Sequence, residues 1–345
     1  MVKNKKITFP KIIEALLDED TPLNPRYLYR LADLTNREFA KFEQAWPNIT
    51  VWRRKALLED LEELTESDYV LVFEAIGKLA LNDPDPGVRA RGIRLLWEEE
   101  DPDLVPIYLG LLANDEDEEV RAEAASALGT FVYLGELEEL PEAAFLRVED
   151  RLLSTVSGSD TDRVRRMALE ALGFSGREEV VPLIKSAFSS KDKDWQISAL
   201  FAMGRSSNPM WNRQVLHMLD HPNAEIRSEA ARAAGELEIE GAVQRLLELL
   251  RDDDEEVRMA AIWSLSQIGG EGVREALEAL EEITEDDDEA DLIADALDNL
   301  SFTEDLGLFS MLDFAEDVEI GGDGKGEETE ELFDGAEEDD NEDEE

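Results

Sequence analysis

The sequence predicts an all-α protein, a right-handed α-solenoid of antiparallel helix pairs followed by a disordered acidic tail. Three observations predict it. Apolar stripes open at Val88, Val120, Val164, Trp195, Ile226 and Val257, separated by 32, 44, 31, 31 and 31 residues. Three residues before each opener stands Asp85, Asp117, Thr161, Asp192, Asn223 or Asp254, all residues whose side-chain oxygen can satisfy the free N–H groups of a helix start. Four and seven residues after the openers come mostly Gly and Ala (Gly92, Ala124, Ala168, Ala199, Ala230 and Ala261 in the first set), which lets neighbouring helices approach closely. A period near 31 residues is that of stacked helix pairs.

Taken in order, residues 1–81 read as an N-terminal helical cap over the first exposed apolar face of the array. Ile12, Ile13, Leu16 and Leu17 form a short stripe, and Thr35 with Glu38 has capping-box spacing for a helix that Pro47 ends. Two further helices are expected over Val51–Leu64 and Asp68–Leu81, the second with apolar Val72, Ala75, Ile76 and Leu79. Residues 82–300 read as the repeat array. Between the opener helices lies a more polar set starting near Leu104, Val180, Trp211, Val243 and Val273, with Asp101-Pro102 and Asn208-Pro209 as cap-then-proline starts. The 44-residue interval holds an insertion after Leu134, expected to lengthen a helix or loop. Asp286–Leu300 reads as a degenerate last unit. Residues 301–320 mix acids with apolar residues, and residues 321–345 are charged and poor in apolar residues, hence an expected disordered tail.

The pattern D-x-x-VR-x-x-A-x-x-AL-G, clearest over 117–129 and 161–173, resembles the HEAT repeats of the short bacterial kind, also called phycobilisome-lyase HEAT-like repeats. The resemblance covers residues 82–300. It implies that the Asp and Arg of the motif tie adjacent turns together, here through Arg89, Arg121, Arg165, Arg227 and Arg258. The fourth unit departs, with Trp195-Gln196 in place of Val-Arg, so an Arg ladder would break there. It also implies that the opener helices line a concave surface.

Bulk properties narrow the function. The chain of 345 residues carries a net charge of −51, with 85 acidic against 34 basic residues and no Cys. That charge repels phosphate backbones and anionic membranes, so no nucleic-acid or membrane partner is expected. Disulfides and thiolate metal sites are excluded. Pro10 and Lys11 interrupt the apolar part of the N-terminal stretch before a signal core forms, and a cytoplasmic location is expected.

His217 and His221 are the only histidines, spaced four apart. Pro222 follows at once and no accompanying Glu completes a metal motif, so an ordinary surface pair is the expected reading. No Ser–His–Asp or Cys–His set and no phosphate loop is present. Neither a catalytic residue, a metal nor a cofactor is expected, and the chain reads as a non-enzymatic scaffold or adaptor for a protein partner. The alternatives are a bilin lyase or chaperone-type subunit, as the repeat's second name implies, and an acidic mimic that sequesters basic proteins.

The partner site is expected on the opener helices. Six residues after the openers stand Arg94, Ser126, Glu170, Phe201, Arg232 and Trp263, which at 100° per residue point away from the core. With Arg166, Met167, Ile197 and Met259 beside them, the candidate set is Arg94, Arg166, Met167, Ile197, Phe201, Arg232, Met259 and Trp263. It forms an apolar patch with Arg at its rim, covered either by a partner or by the chain's own residues 302–314.

Overall fold

A computed structural model describes residues 7–32, 34–67 and 70–302. Every regular element among them is helical. The chain divides into Met1–Leu297 and Asp298–Glu345. Of the second unit, residues 298–302 are described and helical. The expected disorder of 321–345 and docking of 302–314 fall on residues outside those described, apart from Phe302.

Four helices precede the first opener: α1 (Phe9–Leu17), α2 (Asn36–Ala45), α3 (Val51–Ser67) and α4 (Glu74–Ala80). The α1 stripe buries Phe9, Ile12 and Leu16. Thr35 and Glu38 form the expected capping box on α2, which gives way to a 3-10 turn at Trp46–Asn48 around Pro47. One expectation fails here: α4 begins at Glu74 rather than Asp68, and Val72 is 50% exposed. β-branched residues at 70 and 72 and an uncapped start favour extended backbone before Phe73. Buried side chains run without interruption from Ile12 through Phe42 and Leu58 to Val88 and Leu95, so this segment packs directly on the first repeat.

The opener helices are α5 (Pro86–Leu95), α7 (Glu118–Glu136), α9 (Asp162–Ala171), α11 (Lys193–Arg205), α13 (Ala224–Glu236) and α15 (Glu255–Ile268). They alternate with α6 (Leu104–Asn114), α8 (Glu142–Val156), α10 (Val180–Phe188), α12 (Asn212–Met218), α14 (Val243–Leu249) and α16 (Val273–Glu281). All six expected caps accept a backbone N–H from the first turn of their helix. The insertion lengthens α7 to 19 residues and is followed by the 15-residue α8. Asp101-Pro102 forms a turn ahead of α6 rather than its first residues, with Asp101 accepting from the Asp103 N–H. Residues 287–297 are helical, and Asp286 caps them through the Glu289 N–H.

The helix row is held close by a glycine nine residues after the opener. A Cβ on Gly129 would lie 3.2 Å from Ala171 Cα, one on Gly173 3.0 Å from Ala202 Cα, and one on Gly204 3.2 Å from Ala233 Cα. On Gly235 it would lie 2.9 Å from Ser264 Cα. Each is the same meeting, of position nine in one opener helix with position seven in the next. The 2.9 Å approach at Gly235 is closer than real Cβ atoms come, and the other three would require the neighbouring backbone to give by a few tenths of an ångström, so the terminal Gly of the motif serves close packing. The opener helices pack closely on one another while contact among the second helices is sparse, and the resemblance implies that the openers are the inner row.

A second tie runs along the loops. Arg89 grips Asp115 bidentately (2.8 and 2.7 Å), Arg121 grips Asp160 (3.0 and 2.8 Å), and Arg227 grips Asp252 (2.9 and 2.7 Å). Each Arg also donates Nη1 to carbonyls of its own loop, such as Asp83 and Pro84 for Arg89. The same rung joins Arg258 to Glu289 at 3.0 Å and, before the repeats, Arg54 of α3 to Asp83 at 2.5 Å. The ladder breaks on both sides of the fourth unit. Ser190 stands where the next acid would meet Arg165, and Gln196 faces the position of His221.

Candidate binding cleft on the inner helix row

The helix face carrying the expected patch is less exposed than helical spacing suggests. Trp263 is half-buried with its ring edge across Gly235 of the neighbouring helix, and Phe201 is half-buried beneath the Arg205 guanidinium at 4.1 Å. Glu170 accepts a hydrogen bond from Ser198 at 2.5 Å. Arg166 pairs with Asp194 at 3.3 Å, while Met167, Ile197 and Met259 are half-buried and Arg232 is exposed. Where α13 and α15 approach closely at Gly235, the Trp263 side chain lies across its neighbour instead of projecting into solvent.

An open cleft of about 520 Å³ lies at the N-terminal end of this row. Of the eight expected residues only Arg94 lines it. Its origin is local. In α5's continuation the ninth position holds Trp97 instead of Gly, and its ring lines the cleft. Trp97, 52% exposed, forms one wall, and Tyr133, 45% exposed, forms another with Phe174 packed 5.1 Å from it. Tyr133 belongs to the extra turns that the insertion adds to α7. Glu98, Thr130, Phe174 and Arg205 all lie ten residues after their openers, one helical turn beyond the positions chosen from sequence. That spacing was the available signal, since residues six and ten on share a helix face.

The two guanidinium groups in the cleft differ in kind. Arg94 is surrounded by Glu62 (3.2 Å), Glu123 (3.5 Å) and Glu119 (3.6 Å). Burial works to lower its pKa, but Glu62 and Glu123 outweigh burial and hold it above the ordinary value. Burial also raises the Glu123 carboxyl, against the pull of Arg94 and Arg163. Arg205 instead lies between the rings of Phe201 and Phe174, at 4.1 and 4.8 Å, and makes no ion pair among the described residues. Burial depresses its pKa, partly opposed by Glu236, Glu170 and Glu229. A guanidinium held between aromatic faces keeps its planar fork available for an incoming acceptor. The cleft therefore offers aromatic walls for a flat ligand and one uncommitted cation for an anionic group.

His221 is a turn residue. Its Nδ1 accepts the Asn223 N–H at 3.1 Å, the role that Asp115 and Asp252 play for Asp117 and Asp254, and His217 is exposed. Among the described residues, no group of three or more His, Asp or Glu is placed to hold a metal ion. None of their helices is long and apolar enough to cross a membrane.

Capped helix pairs stacked through Gly contacts and Arg–Asp rungs define an α-solenoid of short repeats. Residues 73–147 and 212–301 match the family described as HEAT repeats, and these two stretches are HEAT repeats, as the motif's resemblance implied. Over 103 residues it is 34% identical to the bilin biosynthesis protein MpeU of Synechococcus sp. (strain WH8020), a match covering 28% of this chain and 34% of that protein. The match thus spans about a third of the length of that curated relative. The structure is similar to the complex of CpcE and CpcF of phycocyanin lyase from Nostoc sp. PCC7120, with a TM-score of 0.51 and 16% identity over 82% of this chain and 97% of that one. At that identity the likeness shows the fold. These relatives, named for bilin biosynthesis and for a lyase, overturn the expectation of a non-enzymatic chain.

Proposed function

We propose that the protein is a bilin lyase or lyase-type chaperone subunit that holds a bilin in the inner cleft while presenting it to a protein partner. The observation that carries this reading is the cleft itself, with Trp97, Tyr133 and Phe174 as walls and Arg205 unpaired within it. Bilins are flat, conjugated and carry carboxylate side chains. Aromatic faces stack on the rings, and a guanidinium takes a carboxylate in bidentate fashion. The likeness to MpeU and to the CpcE–CpcF pair supports the bilin and the two-chain arrangement. The acidic rim of Glu98 and Glu100 disfavours a second anionic group there, so the chromophore would enter with one carboxylate toward Arg205.

The test is a titration of the full chain with a purified bilin, followed by visible absorbance and circular dichroism. A saturable induced signal is expected, weakened about tenfold or more in Arg205→Gln and Tyr133→Ala, which corresponds to a lost charged or stacking contact. Absence of a saturable signal in the wild-type protein, or unchanged affinity in both variants, rejects the reading.

A further inference from the structure

The ladder along the loops has an internal standard. In three rungs the repeat Arg meets a carboxylate of the following loop bidentately, with all contacts between 2.7 and 3.0 Å. Arg165 occupies the same sequence position as those arginines, but the acceptor position holds Ser190. In place of a rung there is a cavity of about 280 Å³, lined by Arg165, Ser186, Ser190, Trp195 and Leu183 among others, with no acidic side chain in its wall. Arg165 spends its Nε on the Val156 carbonyl (2.9 Å) and its Nη1 on Asp162 (3.1 Å), an Asp whose side chain is 66% exposed. Its Nη2 has no hydrogen bond among the described residues. The Trp195 ring lies 5.2 Å from the guanidinium, so the cation is backed by an aromatic face.

The acceptor loop keeps the turn of the other rungs, although Arg165 holds its Nε on Val156 and its Nη1 on Asp162 where the other arginines hold Nη1 on carbonyls five and six residues back. The Ser190 Oγ accepts the Asp192 N–H at 3.1 Å, as Asp115 and Asp252 accept from Asp117 and Asp254 at 3.0 Å. The loop is therefore shaped as if a carboxylate were there.

We propose that this cavity is a carboxylate-binding site, in which an external carboxylate of the size of an Asp or Glu side chain completes the third rung. The carboxylate accepts from Arg165 Nη2 and from the hydroxyls of Ser186 and Ser190, and its short carbon chain lies along Leu183 and Trp195. Charge-assisted bonds of this kind are the strong ones in partly buried sites. The site would tie the third and fourth units together only when occupied, and it stands independently of the cleft and of the bilin reading.

Trp195 reports on occupancy. The wild-type protein and Trp195→Phe are titrated with sodium acetate, and separately with a capped tripeptide carrying one Glu, each against sodium chloride at matched ionic strength. A saturable fluorescence change that disappears in Trp195→Phe is expected. Ser190→Asp supplies the carboxylate internally, in a loop already built for it, and should weaken binding about tenfold or more while keeping or raising the melting temperature. Arg165→Gln should also abolish the change, which keeps the test decisive should Ser190→Asp misfold. Saturation by acetate assigns the site to free small carboxylates, and saturation by the Glu peptide alone assigns it to a protein side chain. No saturation by either ligand, or undiminished binding in Arg165→Gln, overturns the proposal.

Discussion

Ser264 of α15 stands against Gly235 of α13 so closely that a Cβ on Gly235 would fall 2.9 Å from the Ser264 Cα and 2.7 Å from the Trp263 ring. Ser264 uses the proximity, donating to the Ala231 carbonyl across the helix pair at 2.7 Å. The contact joins the signature glycine of one repeat to the small residue of the next, and through Trp263 it sets how much of the inner face is left open.

Gly235→Ala should therefore push α13 and α15 apart, costing about 1–3 kcal/mol by overpacking, although Ala is intrinsically the better helix former. Because repeat arrays are stabilised by nearest-neighbour interfaces, hydrogen exchange should accelerate in α13–α16 and remain near wild type in α5 and α7. A neutral or stabilising effect would show that the helices can give at this contact.

Asp115→Ala should cost about 1–3 kcal/mol, since the Arg89–Asp115 side chains are only 17% and 5% exposed and the change leaves a guanidinium without its bidentate partner. Burial works against the Asp115 carboxylate, but Arg89 and the Asp117 N–H outweigh it and hold its pKa below the ordinary value. The rung's contribution is thus complete above the ordinary aspartate range and is lost as pH falls through the lower folded-state value. Denaturant melts of wild type and Asp115→Ala should converge in acid. Ser190→Ala, where no rung exists, should cost less at every pH.

Burial pushes the Glu229 carboxyl up to about 7, against the pull of Arg232. Its folded-state pKa lies above the unfolded one, so the native state binds the extra proton between them. Stability then falls as pH rises from about 4.5 to about 7, and the penalty is constant above that window. Glu229→Gln should leave stability at pH 4 unchanged and raise it at pH 8 by on the order of 1–3 kcal/mol. Equal effects at both pH values would mean that Glu229 titrates normally.

Much of the architecture was legible because it is written locally. Caps at Asp85, Asp117, Thr161, Asp192, Asn223 and Asp254 are decided by residues within three positions of each helix start, and all six bond as their spacing predicts. The resemblance implied an Arg ladder broken at the fourth unit, but the acceptors are Asp115, Asp160 and Asp252 rather than the capping Asp of the motif, and Arg165 makes no rung. The failures were where local preference had little to hold. The α4 start shifted to Glu74, and Trp195, assigned to the core as an opener, is half-buried against Arg165. Of the expected surface patch, only Arg94 lines the cleft.

By itself the sequence determined the repeat helices, most of their boundaries within a turn, their repeat period and the small residues that bring the openers together, because capping and periodicity act over a few residues. Tertiary structure alone decided where the inner face opens. Arg205 reaches Phe174 across a helix boundary, Tyr133 meets the same ring from α7, and Trp97 lines the cleft at that end of the row. Such placements depend on the distance between helices, which the sum of Gly and Ala contacts along the row fixes and no single stretch of sequence contains.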